Sequence, residues 1–197
     1  MMDTLVRALR PLSAPPQGRG WNHADINEWL GDEARRPAAV LLGIRQGVQP
    51  RLVFTVRDAR LPAHAGQVAF PGGRSEPQDA DAVDTALRES EEEIGLDRSL
   101  VTPLGFLDRF ETISGYCVTL VVASIAAEAQ LYASPDEVAE VFEVPLAFLL
   151  DPANLRRYTM EFRGRQRPMA EFLHAGHRIW GATASMLCNL IERMERT

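Results

Sequence analysis

The stretch GGRSEPQDADAVDTALRESEEEIGL, from Gly72 to Leu96, decides how the rest of the chain is read. It predicts a helix from about Ala82 to Ile94. Asp79 or Asp81 can cap the start, and Gly95 with Leu96 can close the end in a left-handed cap. At about 100° per residue, Val83, Ala86, Leu87, Ser90 and Ile94 share one face. Glu89, Glu92 and Glu93 share another, at i, i+3 and i+4, with Arg88 and Glu91 on a separate flank. Like charges at that spacing cost roughly 0.2–0.5 kcal/mol per pair. A hard divalent cation reverses the sign, and an oxygen-only cluster suits Mg²⁺ or Mn²⁺. Gly72 and Gly73 let the backbone approach a ligand and leave amides free to face an anion. A run of glutamates is ordinarily a solvated helix face, and Gly-Gly after proline an ordinary turn. Three features weigh against that reading: the carboxylates sit opposite an apolar stripe, Arg88 precedes them, and Gly95 closes the helix just after them.

Working outward, Pro37 to Ile44 and Arg51 to Arg57 read as strands, with a hairpin turn over Gly47 to Pro50. Residues 58–73 read as loop and short strand. Beyond the helix, Val101 to Arg109, Cys117 to Ile125 and Val138 to Val144 are strand-like, the last stopped by Pro145. Tyr158 to Phe162 and Arg178 to Trp180 are weaker strands, with Gly164 and Gly176 as turn signals. A terminal helix over about 182–196 has Met186, Leu187, Leu190, Ile191 and Met194 on one face. At the other end, Leu5, Leu9 and Leu12 recur at helical spacing, Pro15-Pro16 break the chain, and Asn22 to Trp29 form a second short helix. The expectation is an α+β fold, a mixed β-sheet clasped between helices. Residues 1–35 form an N-terminal helical preface and 36–197 the main domain.

The 197 residues suit one domain, and 46% hydrophobic with 24% charged residues excludes a disordered or fibrous chain. There are 21 basic and 27 acidic residues, a formal net charge of −6, so no global basic field exists for nucleic acid. Cys117 and Cys188 form neither a metal-ligand spacing nor a disulfide framework, which favours a reducing compartment. The richest apolar run, Val118 to Ala127, stops at Glu128, short of a membrane span. Arg7, Arg10 and Pro11 interrupt any secretory signal. These features predict a cytoplasmic protein with no nucleic-acid or membrane partner.

Gly73 through Leu96 resembles the Nudix box of the Nudix hydrolases, Gly-x5-Glu-x7-Arg-Glu-U-x-Glu-Glu-x-Gly-U, where U is a bulky aliphatic residue. Gly73, Arg88, Glu89, Glu92, Glu93, Gly95 and Leu96 match. Asp79 stands where Glu is usual, its spacing to Arg88 is one residue too long, and Ser90 replaces an aliphatic residue. The resemblance implies the Nudix fold, an α/β/α sandwich. It implies that Glu89, Glu92 and Glu93 ligate Mg²⁺ or Mn²⁺ and that Arg88 orients a carboxylate. The reaction implied is water attack on a diphosphate linking a nucleoside to another group.

Upstream, Thr55, Arg57, Gly66, Phe70, Pro71, Gly72 and Gly73 match the second motif of the coenzyme A pyrophosphatases within that superfamily. That motif is Leu-Leu-Thr-x-Arg-(Ser or Ala)-x3-Arg-x3-Gly-x3-Phe-Pro-Gly-Gly. His64, the segment Glu137 to Leu146 and the segment Ile179 to Thr183 add to the resemblance. Val53 and Phe54 replace the leucines, Asp58 the small residue and Pro62 the second arginine. The substrate-binding residues implied are Arg57, His64, Gly66, Phe70, Gly72 and Gly73, with Arg60 and Arg74 as weaker candidates. Glu137 and Glu140, with Glu143 beside them, are candidates for an extra acid or a general base, or else ordinary exposed acids. The partner implied is a small nucleotide of the coenzyme A type, with room for a homodimer. The competing readings are a Nudix hydrolase of ADP-ribose or a dinucleotide, and an idle Nudix-fold regulator. The Arg156, Arg157, Arg163, Arg165 and Arg167 stretch could attract nucleotides or RNA but reads more plainly as an exposed hairpin, His174 and His177 as a hairpin turn rather than zinc ligands, and Trp180 as core rather than a base-stacking platform.

Overall fold

The structure is a computed structural model and describes residues 1–30, 34–162 and 164–197. Arg163 of the basic stretch lies outside the described residues. In chain order the elements are α1 (Met2–Ala8), α2 (His23–Ile26), β1 (Arg36–Arg45), β2 (Arg51–Arg57), β3 (Val68–Ala69), β4 (Gly72–Arg74) and α3 (Ala82–Ile94). There follow β5 (Val101–Phe106), β6 (Phe110–Glu111), β7 (Tyr116–Ile125), β8 (Val138–Pro145), α4 (Leu146–Leu150), β9 (Arg156–Phe162), β10 (Arg165–His174), β11 (His177–Trp180) and α5 (Gly181–Glu195).

The main sheet runs β3-β2-β1-β7-β5, with β8 on β2, β4 on β1 and β6 on β7. Its centre is the parallel pair β1–β7, in register from Arg36↔Tyr116 to Arg45↔Ile125. The other pairings are antiparallel, so the sheet is mixed. Alternation along β7 explains why it is apolar throughout: Val118, Leu120 and Val122 face one core layer, and Val121, Ala123 and Ile125 the other. α3 covers the second layer. α1, α5 and the antiparallel sheet β11-β10-β9 cover the first. This is the expected α/β/α arrangement.

One irregularity positions the site. β1 and β2 pair at Ile44↔Leu52 and Arg45↔Arg51 and then part. The vacated edge of β1 is taken by β4, through Ala38↔Arg74, Ala39↔Gly73 and Val40↔Gly72. Leu41 N–H donates to Pro71 O at 2.8 Å, which fixes the turn before it. The Phe70-Pro71-Gly72-Gly73 segment is therefore wedged into a split in the sheet. A Cβ on Gly72, at φ 148°, would strike Val40 Cα at 2.6 Å as well as Ala39 O, so only glycine fits.

Three expectations need correction. The preface is not a helix through Leu12: α1 stops at Ala8, and Leu12 is exposed. Pro11 disfavours helix at the residue before it, and Arg10 instead forms a β-bridge with Phe106. β5 ends at Phe106 rather than reaching Arg109. α4 is a further helix where none was expected, while the hairpin read over the basic stretch is present as β9 and β10, the latter running on to His174. The preface packs closely on the rest. Leu5 and Leu9 join the first core layer, and Asn22 exchanges two hydrogen bonds with the backbone of Glu111, at 2.8 and 2.9 Å.

Candidate functional site

Local sequence builds α3. Asp81 Oδ1 accepts from Val83 N at 2.8 Å and Asp84 N at 2.9 Å, the side-chain cap that a helix start requires. Gly95 ends it at φ 62°, its N–H donating to Glu91 O at 3.0 Å. Ala86 and Ile94 anchor it to the second core layer. Ser90, where the motif has an aliphatic residue, is also buried and donates its hydroxyl to Ala86 O at 2.7 Å.

The three glutamates differ in setting. Glu92 is 58% exposed. Glu89 is 15% exposed and Glu93 only 4%. The helical wheel put Glu93 opposite the apolar stripe, on a face open to water. The structure buries it because the sheet split and the loop after Tyr132 close over that face. Gly72 N–H donates to Glu93 Oε2 at 3.1 Å, and Ser134 N–H to Glu93 O at 2.9 Å. A Cβ on Gly73 would overlap the Glu89 carboxylate, so the second glycine is there to admit that side chain. A solvated helix face does not account for these contacts.

Arg88 organises the turn. Its guanidinium grips Asp79 with Nε–Oδ1 at 2.8 Å and Nη2–Oδ2 at 3.0 Å, and Nη2 also donates to Arg74 O at 3.0 Å. Nη1 reaches Glu89 Oε1 at 3.0 Å and Glu92 Oε2 at 3.1 Å. Arg88 thus faces the same cluster as the acids rather than a separate flank. Asp79 is 3% exposed and also accepts from Glu76 N–H and the Thr85 hydroxyl. The Arg88 guanidinium, helped by those donors, holds the Asp79 carboxyl far below the ordinary range. The extra residue in the box falls in the loop before α3, where Asp79 still reaches Arg88.

The charge balance is reversed one turn further on. Burial pushes Glu93 up to about 7, beyond what the Gly72 N–H and Arg57 offset, and Glu89 and Glu137 add to the rise. Burial also raises Glu89 against the pull of Arg88, with Glu92 and Glu137 contributing. Arg57 Nη1 stands 3.9 Å from Glu93 Oε1, and Arg57 Nε is buried without an acceptor in the protein. Among the described residues no three acids, histidines or cysteines converge as a ready coordination trio, since Arg88 holds Glu89 and Glu92. The donor chemistry nevertheless fits a hard divalent cation. Burial raises Glu89 and Glu93 despite Arg88 and Arg57, so further positive charge would be favourable there, and oxygen ligands are what Mg²⁺ and Mn²⁺ take.

The remaining candidates separate. The Glu137 charge adds slightly to the rise at Glu89 and Glu93. Glu140 lies on the face of β8 that carries Phe142, and it pairs with His177 Nε2 at 3.1 Å. Phe142 stacks on Phe54 at 5.5 Å and on His177 at 3.7 Å, so Glu140 is turned towards the smaller sheet, away from Glu93. Phe70 is 3% exposed and stacks on Phe54 at 5.0 Å. Its ring anchors the turn from the core, so its part in the site is to place Gly72 and Gly73. His64 is exposed, at φ 58°, with Nδ1 3.1 Å from Gln67 Oε1. Gly66, at φ 68°, donates its N–H to Arg57 O at 3.0 Å and so holds the strand end that bears Arg57. Asp58 is gripped by Arg60, Nε–Oδ1 at 2.8 Å, which offsets the charge it brings near the site. The buried Asp79–Arg88 pair was not read from the sequence. An acid nine residues before an arginine shows no periodicity when a loop lies between them.

A sequence profile of the NUDIX domain matches residues 34–162. The chain is 39% identical over 160 residues to the uncharacterized Nudix hydrolase NudL of Photorhabdus laumondii subsp. laumondii, covering 81% of this chain and 86% of that protein. It is 40% identical over 155 residues to NudL of Escherichia coli strain K12, covering 79% and 81%. Among solved structures, the Nudix hydrolase RenU from M. smegmatis superposes with a TM-score of 0.55 at 20% identity, covering 83% of this chain and 88% of that one. The MutT protein of Methanosarcina mazei Go1 gives 0.52 at 18% identity, covering 85% and 97%. These two structural likenesses concern the fold.

Proposed function

Since this chain belongs to the Nudix hydrolases, pyrophosphohydrolases of nucleoside diphosphate derivatives, we propose that its substrate is coenzyme A or a derivative of it. Cleavage of the diphosphate gives adenosine 3′,5′-bisphosphate and 4′-phosphopantetheine. The observation that carries this reading is Arg57. It stands at the end of β2 beside the Phe70-Pro71-Gly72-Gly73 turn, with a buried Nε–H that has no acceptor in the protein. A guanidinium so placed suits a phosphate oxygen. Nudix hydrolases as a family use divalent metal ions. Here Glu89, Glu92 and Glu93 would hold Mg²⁺ or Mn²⁺, which neutralises phosphate charge and acidifies water when bound.

The chain's own residues supply the rest. Arg88, fixed by Asp79, holds Glu89 and Glu92 in place. The Gly72 amide orients Glu93 Oε2. Glu137 is the best-placed extra acid, able to take a proton from attacking water at a carboxylate oxygen. Gly72 and Gly73 bring the backbone close to the diphosphate, and His64 with Gly66 shape the loop above it. In this reading residues 1–35 are a preface to a Nudix domain of 36–197. The enzyme acts in the cytoplasm on a small nucleotide, without nucleic acid or membrane, and a homodimer is compatible with it. No helix among the described residues is long and apolar enough to cross a membrane.

The test is a side-by-side assay of coenzyme A, dephospho-coenzyme A and ADP-ribose with Mg²⁺ and with Mn²⁺, products identified by mass. Recognition of the 3′-phosphate should favour coenzyme A over the dephospho form by roughly ten- to a hundredfold in kcat/KM. ADP-ribose as the best of the three would overturn the coenzyme A assignment.

A further inference from the structure

We infer that a second ligand site lies between the strap of residues 12–17 and the first turn of α3, and that it binds a small monocarboxylate with an apolar body through Arg109. The cleft there has a volume of about 430 Å³, within the usual range for small-molecule sites. Its apolar walls include Pro15 and Pro16 of the strap, Val83 of α3 and Phe106 of β5, and Arg109 and Thr119 are among its polar lining residues.

Arg109 is the feature that points to a ligand. Its backbone oxygen accepts from Trp21 N–H at 2.7 Å, and Nη1 makes a long bond to Gly18 O at 3.3 Å, so strap and arginine hold each other. Its Nε is buried and has no acceptor in the protein. Among the described residues no carboxylate lies within ion-pair distance of it, although this chain pairs most of its buried and half-buried guanidinium groups. A buried donor on a cation, left without an acceptor, costs on the order of 1–3 kcal/mol unless a ligand or solvent meets it.

Charge selects the ligand class. Asp81 is also part of the lining, its carboxylate fixed by Val83 N and Asp84 N. The chain's net charge is −6. With the Arg109 guanidinium and the fixed Asp81 carboxylate both in the lining, a single negative charge is accommodated better than two. A monocarboxylate is therefore favoured over a phosphate dianion, and the prolines and Phe106 favour an apolar body behind it. The site is separate from the glutamate cluster. Asp81 and Glu89 are eight positions apart on α3, about 12 Å along the helix.

The test is a titration of the ¹⁵N-labelled full chain with sodium hexanoate, followed by amide and arginine Nε–H resonances. 1-Hexanol and inorganic phosphate serve as comparison ligands. The expected result is saturable shifts at Val83, Arg109 and Thr119, with hexanoate binding more tightly than either comparison ligand. Arg109→Gln should weaken hexanoate by about tenfold or more. Val83→Phe, which fills the cleft and leaves Arg109 in place, should block it. The inference is overturned by the absence of saturable shifts, by hexanol or phosphate binding as well as hexanoate, by unchanged affinity in Arg109→Gln, or by shifts centred on Glu89 and Glu93. Should Arg109→Gln not fold, Val83→Phe decides alone, and retained hexanoate binding in that variant overturns the site.

Discussion

Helices α3 and α5 are similar in length, at 13 and 15 residues, and lie on opposite faces of one sheet, yet they are held by different physics. α5 has no side-chain cap and buries Ala184, Met186, Leu187, Cys188 and Leu190. Its attachment is mainly apolar area, which is strong but indifferent to direction, with Thr183, Asn189 and Arg193 adding hydrogen bonds to Val68 O, Asp108 and Ala8 O. α3 buries Ala86 and Ile94, but also Thr85, Ser90 and Glu93. It is held by a cap, a buried arginine–aspartate clamp and single hydrogen bonds. Those contacts are directional, and they hold like charges together that would otherwise separate. The comparison teaches that the stability of this molecule and the placement of its chemistry reside on different faces of the sheet.

The contrast can be broken most sharply on α5. Leu187 is 1% exposed in the first core layer. Leu187→Ala should cost about 2–5 kcal/mol of stability, read by chemical denaturation. The activity per folded molecule should hardly change. A large loss of kcat in molecules shown to be folded would mean that the two faces are not separate.

The converse change is Glu93→Gln. It should lower diphosphate hydrolysis roughly a hundredfold, about 3 kcal/mol of barrier. Stability in the metal-free state should hold or rise. Glu93 is a carboxyl whose folded value is raised to about 7 by burial. A raised acid favours the folded state when protonated, and that benefit is lost as pH climbs from about 4.3 to about 7. The glutamine escapes this loss. Mg²⁺ should raise the Tm of the wild type more than that of Glu93→Gln. Full activity in the variant, with unchanged metal dependence, would remove Glu93 from the site.

Asp79 has the opposite sign. Its folded value is depressed, so its stabilisation is present above the unfolded value near 3.9 and fades as pH falls below it. Asp79→Asn should be about 1–3 kcal/mol less stable at neutral pH. The gap from wild type should narrow below about pH 4 in a series of melts. A constant gap across acid pH would show that the clamp is not ionic. The smallest expected effect is Asp81→Ala, about 1 kcal/mol from the lost cap. It should leave kcat nearly unchanged, because the last two turns of α3 are held by Arg88 and Gly72 instead.

α3 was readable from sequence to the residue because its cap, its apolar stripe and its closing glycine are all local signals. The same holds for β1, β2, β7 and β8, whose apolar runs match strand length. β10 was legible only as the far arm of an exposed hairpin, not in its full length. Arg165, Gln166, Arg167 and Pro168 hide its alternation, and it becomes a strand through pairing with β9 and β11. The identity of the acids was legible, but not their burial. Glu93 is covered by a turn twenty-one positions upstream and a loop some forty downstream, and a helical wheel sees neither. For the same reason Glu137 and Glu140 looked equivalent in sequence: Glu137 ends the turn before β8, whereas Glu140 lies within the strand and pairs with His177.

The contact between α1 and α5 sets a timetable for synthesis. Arg193 Nε donates to Ala8 O at 2.7 Å across 185 positions of chain. At about 5–20 residues per second on the ribosome, Ala8 waits roughly 10–40 s for that partner to be made. Leu5, fully buried in the finished molecule, has no completed pocket during that interval. The nascent chain thus carries α1 as an exposed apolar segment until α5 emerges. Removing α1 would end that exposure during synthesis but would also strip the buried Leu5 from the finished core, so soluble yield and equilibrium stability should both change.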